Sequence, residues 1–191
     1  ERKSNELGHF KEKVIKEVRT TMDLGELKED PIFRIYRDFF WGLDIDPTKT
    51  RPASEALTRR VLHGKELPQI NTLVDAYNLA SLKSKIPLAA FDRDSLSGDL
   101  KMRFAKKGET FLGIGMEDPM KLDGGEIVVS DSEKLVAIYP YRDSEETKIT
   151  RDTENVLLLV CGVPGVGGRL EKAEDIMVNY VERFCSGERN G

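Results

Sequence analysis

Histidine and cysteine, the side chains that most often hold transition metals, are nearly absent: the 191 residues contain two of each. His9 and His63 stand far apart and have no carboxylate motif beside them, so the ligand sets of the common zinc centres cannot be assembled. Each reads as a surface or capping residue, and no metal or other cofactor is expected. Cys161 and Cys185 lack metal or redox spacing, which fits free thiols in a reducing compartment. Cys161 lies in an apolar stretch and should be buried and inert rather than nucleophilic. No run of 18 apolar residues exists, which excludes a long apolar membrane helix. The first residues, Glu1-Arg2-Lys3-Ser4-Asn5, have no signal-peptide apolar core. A cytoplasmic location without membrane attachment is the expectation.

The chemistry-bearing motifs of hydrolases are missing too. There is no G-x-S-x-G elbow. Gly162-Val163-Pro164-Gly165-Val166-Gly167-Gly168-Arg169-Leu170 has the G-x-x-x-x-G spacing of a phosphate loop. The Lys and the Ser or Thr that such a loop needs next are replaced by Gly168 and Arg169, so a nucleotide-hydrolysing loop is excluded. Gly165 and Gly167 are better explained by a turn or by close backbone packing.

What is present begins with an uneven charge. The net charge is −4, which disfavours general polyanion binding. The stretch from Pro47 to Glu109 nevertheless carries more Lys and Arg than Asp and Glu, which permits a local nucleic-acid contact. A solvated surface with no ligand explains it as well.

Hydrophobic periodicity divides the chain. Leu7, Phe10, Val14 and Val18 mark one face of a first helix. Asp30-Pro31 is a start signal for a second, which carries Phe33, Tyr36, Phe39, Phe40 and Trp41 and stops near Gly42. These aromatics recur at helical spacing, so core packing is preferred over base stacking. A third helix runs from about Pro52 to Leu62, ending at Gly64, and a fourth covers Leu67 to Ala80. The period then falls to 2. Leu100, Met102 and Phe104 followed by Lys106-Lys107-Gly108-Glu109 and Thr110 to Ile114 read as a hairpin. Glu126–Val129, Lys134–Tyr139 and Asn155–Cys161 read as further strands, and Leu170, Ala173, Met177, Tyr180, Val181 and Phe184 as the apolar face of a closing helix. The expectation is an α+β fold: N-terminal helices, a largely antiparallel sheet region and a C-terminal helix. Residues 1–191 are expected to form one domain, with 1–50 a helical extension, 51–165 the core and 169–185 the closing helix.

The fourth helix is unusual. At 100° per residue, Asn71, Asp75 and Asn78 fall within about 60° of one another. Short polar side chains are poor helix formers and cannot reach far for water. A line of them among Ile70, Leu73, Val74 and Tyr77 should be hydrogen-bonded, either to a neighbouring loop or to a ligand in a cleft.

Asn71-Thr72-Leu73-Val74-Asp75-Ala76-Tyr77-Asn78, followed by Pro87-Leu88-Ala89-Ala90-Phe91-Asp92, resembles the signature of the editing module in the β subunit of phenylalanyl-tRNA synthetase. There the pattern is N-N-x-x-D-x-x-N, a short gap, then P-L-H-A-F-D. The likeness runs weakly on through "KLDGGEIVVSD" and "ITRDTENVLLL", about half the chain. Small free-standing relatives of that module share the lead-in "RPASEALTRRVLHGKELPQIN" and the later Thr147-Lys148-Ile149-Thr150.

The resemblance implies a tRNA-associated module that hydrolyses the ester of a misacylated tRNA, tyrosyl in the synthetase. Such an ester is activated by the neighbouring ribose hydroxyl. Positioning a water and polarising the carbonyl suffice, so no nucleophilic side chain is required. It points to Asn71, Asp75, Asn78, Phe91 and Thr147 as substrate-binding residues. Arg51, Arg59, Arg60 and Lys148 are its candidates for phosphate contact. No specific catalytic residue is implied.

Three positions depart from the pattern. Pro68 stands where an Arg is usual, Ala89 replaces the His, and Leu159 replaces the acidic residue that receives the tyrosine hydroxyl. Loss of that acceptor removes a strong discrimination, so tyrosine specificity is not carried over. Three functions stay open: a hydrolase for an unidentified misacylated tRNA, a non-catalytic binder of RNA or an aminoacyl group, and an adaptor for a protein partner. A complete synthetase is not among them.

Overall fold

A computed structural model describes residues 2–187 and 189; positions 1, 188, 190 and 191 of the expected 1–191 span lie outside the described residues. Four helices, α1 (Arg2–Thr21), α2 (Pro31–Trp41), α3 (Ala53–Leu62) and α4 (Thr72–Ser84), come first. Eight strands follow: β1 (Leu88–Asp92), β2 (Lys101–Phe104), β3 (Thr110–Phe111), β4 (Met120–Lys121), β5 (Ile127–Ser130), β6 (Leu135–Ile138), β7 (Arg142–Asp143) and β8 (Val156–Val160). Helix α5 (Arg169–Phe184) closes the chain. Every strand pair is antiparallel, and the architecture is the α+β arrangement expected.

The residue types explain the helix starts. The Asp30 carboxylate accepts the N–H groups of Ile32 at 3.0 Å and Phe33 at 3.4 Å, and Pro31 occupies the first turn, where a missing N–H costs nothing. Helix α2 then buries Phe33, Tyr36 and Phe40 completely, while Trp41 is 54% exposed and stays outside the core. Tyr36 donates its hydroxyl to the Cys161 carbonyl at 2.6 Å, which ties α2 to the end of β8. One core gathers Tyr36, Ile86, Phe91, Val136, Val166 and Met177 between the helices and the sheets. A second joins α1, α3, α4 and α5 through Leu7, Val14, Val61, Leu79 and Phe184.

Helix α3 is held by a buried charge cluster. Glu55 is fully buried, and its Oε1 accepts Arg37 Nη1 and Arg59 Nε, each at 2.7 Å. Arg37 comes from α2, so the cluster fixes α3 against α2.

The strand pairing corrects one expectation. Residues 100–114 do not form a hairpin: β2 pairs with β5, and β3 pairs with β4. Glu109 explains the change. Its carboxylate takes both guanidinium ends of Arg103 and the Lys106 N–H, so the Lys106–Glu109 segment folds onto β2 instead of returning β3 along it. The largest sheet has the order β2-β5-β6-β7, and β1 pairs only with β8. Met102 and Phe104 face solvent on β2. The glycine-rich loop before α5 is a turn, with Gly165 at φ 95° and Gly167 at φ 58°. At Gly162 a Cβ would lie 2.6 Å from Leu170 Cδ1, so a side chain there would require Leu170 to shift.

Candidate functional site

The polar line on α4 divides into separate roles. Asn71 is not inside the helix; it is the N-cap, with extended backbone, and its side chain accepts the Val74 N–H at 2.9 Å. The helix therefore begins at Thr72 rather than Leu67. Asp75 is 7% exposed and reaches back to accept the Ile70 N–H at 3.0 Å. Lys11 lies 3.9 Å from its other oxygen and also donates to the Leu67 and Pro68 carbonyls. Asn71 thus satisfies one orphan donor at the start of α4, and Asp75 fastens the preceding loop. Asn78 is half-buried, and its amide has no hydrogen-bond partner among the described residues. Asn71→Ala is expected to cost about 1 kcal/mol through loss of the cap, with Asn71→Ser retaining most of the stability in chemical denaturation.

The second motif builds a cavity. Ala89 and Leu159 are direct partners in the β1–β8 register, so their side chains are neighbours on one sheet face. Both line a cavity of about 50 Å³, together with Phe91, Tyr139, Tyr141, Cys161 and Asp143. Ala53, the first residue of α3, and Pro87 complete its apolar wall. Two of the three positions that depart from the resembled pattern, Ala89 and Leu159, are therefore one structural unit. The volume holds water or a short aliphatic group, far below the several hundred Å³ of drug-sized ligand pockets.

Asp143 is the residue that sequence reasoning missed. Its main chain is fixed by the Ile114 N–H, which donates to the Asp143 carbonyl at 2.9 Å. Its carboxylate makes no hydrogen bond or ion pair among the described residues. Burial disfavours the charged form and pushes its pKa up to about 6. The surrounding groups are neutral: burial pushes the Cys161 thiol and the Tyr77 phenol well up, and the Asp143 charge adds to both. Since the folded-state pKa is raised, the proton that stabilises the fold is lost as pH rises through about 6. Asp143→Asn is expected to stabilise the protein by on the order of 1–2 kcal/mol at pH 8, with the gain vanishing near pH 4; thermal melts across pH check this. The local sequence carries no signal for this role, because the burial comes from elements distant in the chain.

The remaining candidates are dispersed. Phe91 is fully buried, serving both the core and the cavity wall. Thr147 is fully buried, and its hydroxyl has no partner among the described residues. Lys148 pairs with Glu145. Arg59 is engaged by Glu55, and Arg60 donates to the Glu66 carbonyl. Arg51 is exposed just ahead of α3, two residues before the cavity-lining Ala53. Arg142 is exposed at the cavity, its stem lying over Gly113, where a Cβ would come within 2.5 Å of Arg142 Cδ. Among the described residues, no group of three or more His, Cys, Asp and Glu could hold a metal ion, and no helix is long and apolar enough to cross a membrane.

The chain is similar to the phenylalanine–tRNA ligase β subunit of Fusobacterium nucleatum, at 31% identity over 121 residues, covering 63% of this chain and 15% of the relative. It is similar also to that of Mycoplasma pneumoniae, at 28% identity over 154 residues, covering 79% of this chain and 19% of the relative. The chain thus spans less than a fifth of the length of these relatives. In fold it resembles an N-terminal fragment of the phenylalanyl-tRNA synthetase β subunit from Pyrococcus horikoshii, with a TM-score of 0.50 over 90% of this chain and 72% of that one, at 14% identity. The B3/4 domain pattern matches residues 35–184, which takes in α3, α4, all eight strands and α5, and the chain belongs to the B3/4 domain family.

Proposed function

We propose that this chain hydrolyses the ester of an aminoacyl-tRNA whose amino acid has a small, apolar side chain, as a translation quality-control module in the cytoplasm. One observation carries the reading: Ala89 and Leu159 are cross-strand partners that together line a small, mostly apolar cavity. In the resembled editing module these two positions hold a His and an acidic residue facing the misattached amino acid. Here both polar groups are gone at once, and the space between them suits an aliphatic group rather than a phenol. A tyrosine ring is larger than the cavity of about 50 Å³. The ester supplies its own activation, so the residues need only position it.

Arg51 and Arg142 are the candidate phosphate contacts for the tRNA end: both are exposed, Arg142 lines the cavity and Arg51 stands two residues before the lining Ala53. Asn78 is the candidate substrate-binding member of the α4 line, since Asn71 and Asp75 already serve the helix start.

The test is deacylation of a panel of misacylated tRNAs, with Ala89→Leu alongside to fill the cavity. Hydrolysis of alanyl or a similarly small, apolar aminoacyl group is expected, at least 100-fold slower in Ala89→Leu, with tRNA binding retained. Hydrolysis of no member of the panel would reject the reading. tRNA binding that persists and weakens with salt in that case leaves a binding module.

A further inference from the structure

Asp143 is a half-buried carboxylate lining a largely apolar cavity, with no hydrogen bond or ion pair of its own among the described residues. The groups that face it can be named element by element. Helix α4 presents Tyr77, a neutral phenol. The segment after β8 presents Cys161, whose thiol burial keeps protonated. The β6–β7 connection presents Tyr139, which donates its hydroxyl to the Gly162 carbonyl, and Tyr141. Helix α3 contributes only Ala53. Arg142 is the cation among the cavity residues, but its side chain is exposed and lies over Gly113. Burial alone sets the Asp143 proton affinity, with no relief from Arg142.

An unpaired carboxylate at an apolar site is costly unless a cation arrives with the ligand. An aminoacyl ester brings one, because its α-amino group is protonated near neutral pH and lies one carbon from the ester and from the side chain. A small apolar cavity beside the carboxylate then suits the side chain. We propose that Asp143 is the receptor for the α-ammonium of the aminoacyl group, while the Ala89–Leu159 wall receives its side chain. This rests on the aminoacyl reading above. It makes the site selective for a free α-amine, so N-blocked aminoacyl groups are excluded.

The probes are non-hydrolysable: 3′-alanylamido-3′-deoxyadenosine and its N-acetylated counterpart, titrated calorimetrically into the intact chain. The free amine is expected to bind at least 10-fold tighter at pH 7. Its affinity should fall below pH 6, as Asp143 takes up a proton, and above about pH 8, as the amine loses one. Asp143→Asn should erase the difference between the two probes and flatten the acid limb. Equal binding of both probes to the unmodified chain overturns the proposal without any variant. So does an undiminished ratio in Asp143→Asn, or no detectable binding of the free amine at millimolar concentration. An amine-dependent ratio with no tRNA deacylation upholds this site while hydrolysis fails. Deacylation with no ratio rejects this site alone.

Discussion

Glu55→Ala is expected to lower the stability of the protein by roughly 3–5 kcal/mol, the largest effect of any single substitution considered. Glu55 is fully buried in the first turn of α3 and accepts Arg37 from α2 and Arg59 from its own helix, each at 2.7 Å. Removing the carboxylate leaves two guanidinium groups facing each other, only 16% and 23% exposed, with no counter-charge. Urea unfolding followed by circular dichroism measures the loss. Arg59→Met should cost less, because Arg37 still neutralises Glu55. The consequence reaches the cavity, since Ala53 at the head of α3 forms part of its wall. A loosened α3 should therefore weaken probe binding as well as the fold. A midpoint shift below about 1 kcal/mol for Glu55→Ala would show the cluster to be water-screened rather than buried.

Leu159→Glu should produce a pH-dependent loss of roughly 2–4 kcal/mol at pH 8. The new carboxylate would share the cavity with Asp143, whose pKa burial already pushes up to about 6. Two like charges in one apolar space disfavour each other's ionisation, so both folded-state pKa values lie above their unfolded values. Protons bound in the folded state then stabilise it below the unfolded carboxylate range, and that stability is lost as pH rises through about 6 and beyond. Thermal melts should converge with those of the parent chain near pH 4 and diverge toward pH 8. Adding Asp143→Asn should restore much of the loss at pH 8. A pH-independent cost would mean that the new side chain turns to solvent, Leu159 being only half-buried.

The helices α1, α2 and α5 were legible from apolar residues recurring at helical spacing, and α2 also from its own cap. Asp30-Pro31 starts α2, and the Leu7–Val18 spacing gives the buried face of α1. The strands were legible as strands but not as partners. Residues 100–114 look like a hairpin because the turn residues are local, yet β2 finds β5 and β3 finds β4. The pairing is set by contacts between segments distant in the chain, β2 with β5 and β3 with β4, and the local turn residues do not encode it. Asn71 was visible as an oddity and misplaced inside the helix. Its cap geometry follows a rule readable in advance, a short polar residue just before a helical run.

By itself, then, the amino-acid sequence determined the α+β order, the Asp30-Pro31 helix start and the two motifs that carry the family likeness. Those are properties of residue type and short-range spacing. Tertiary structure alone decided that Ala89 and Leu159 are partners, that Asp143 is stranded beside them, and that Arg59 answers to Glu55. Proton affinity and charge pairing depend on which distant segments exclude water from a side chain. Chain folding sets that, and no local pattern encodes it.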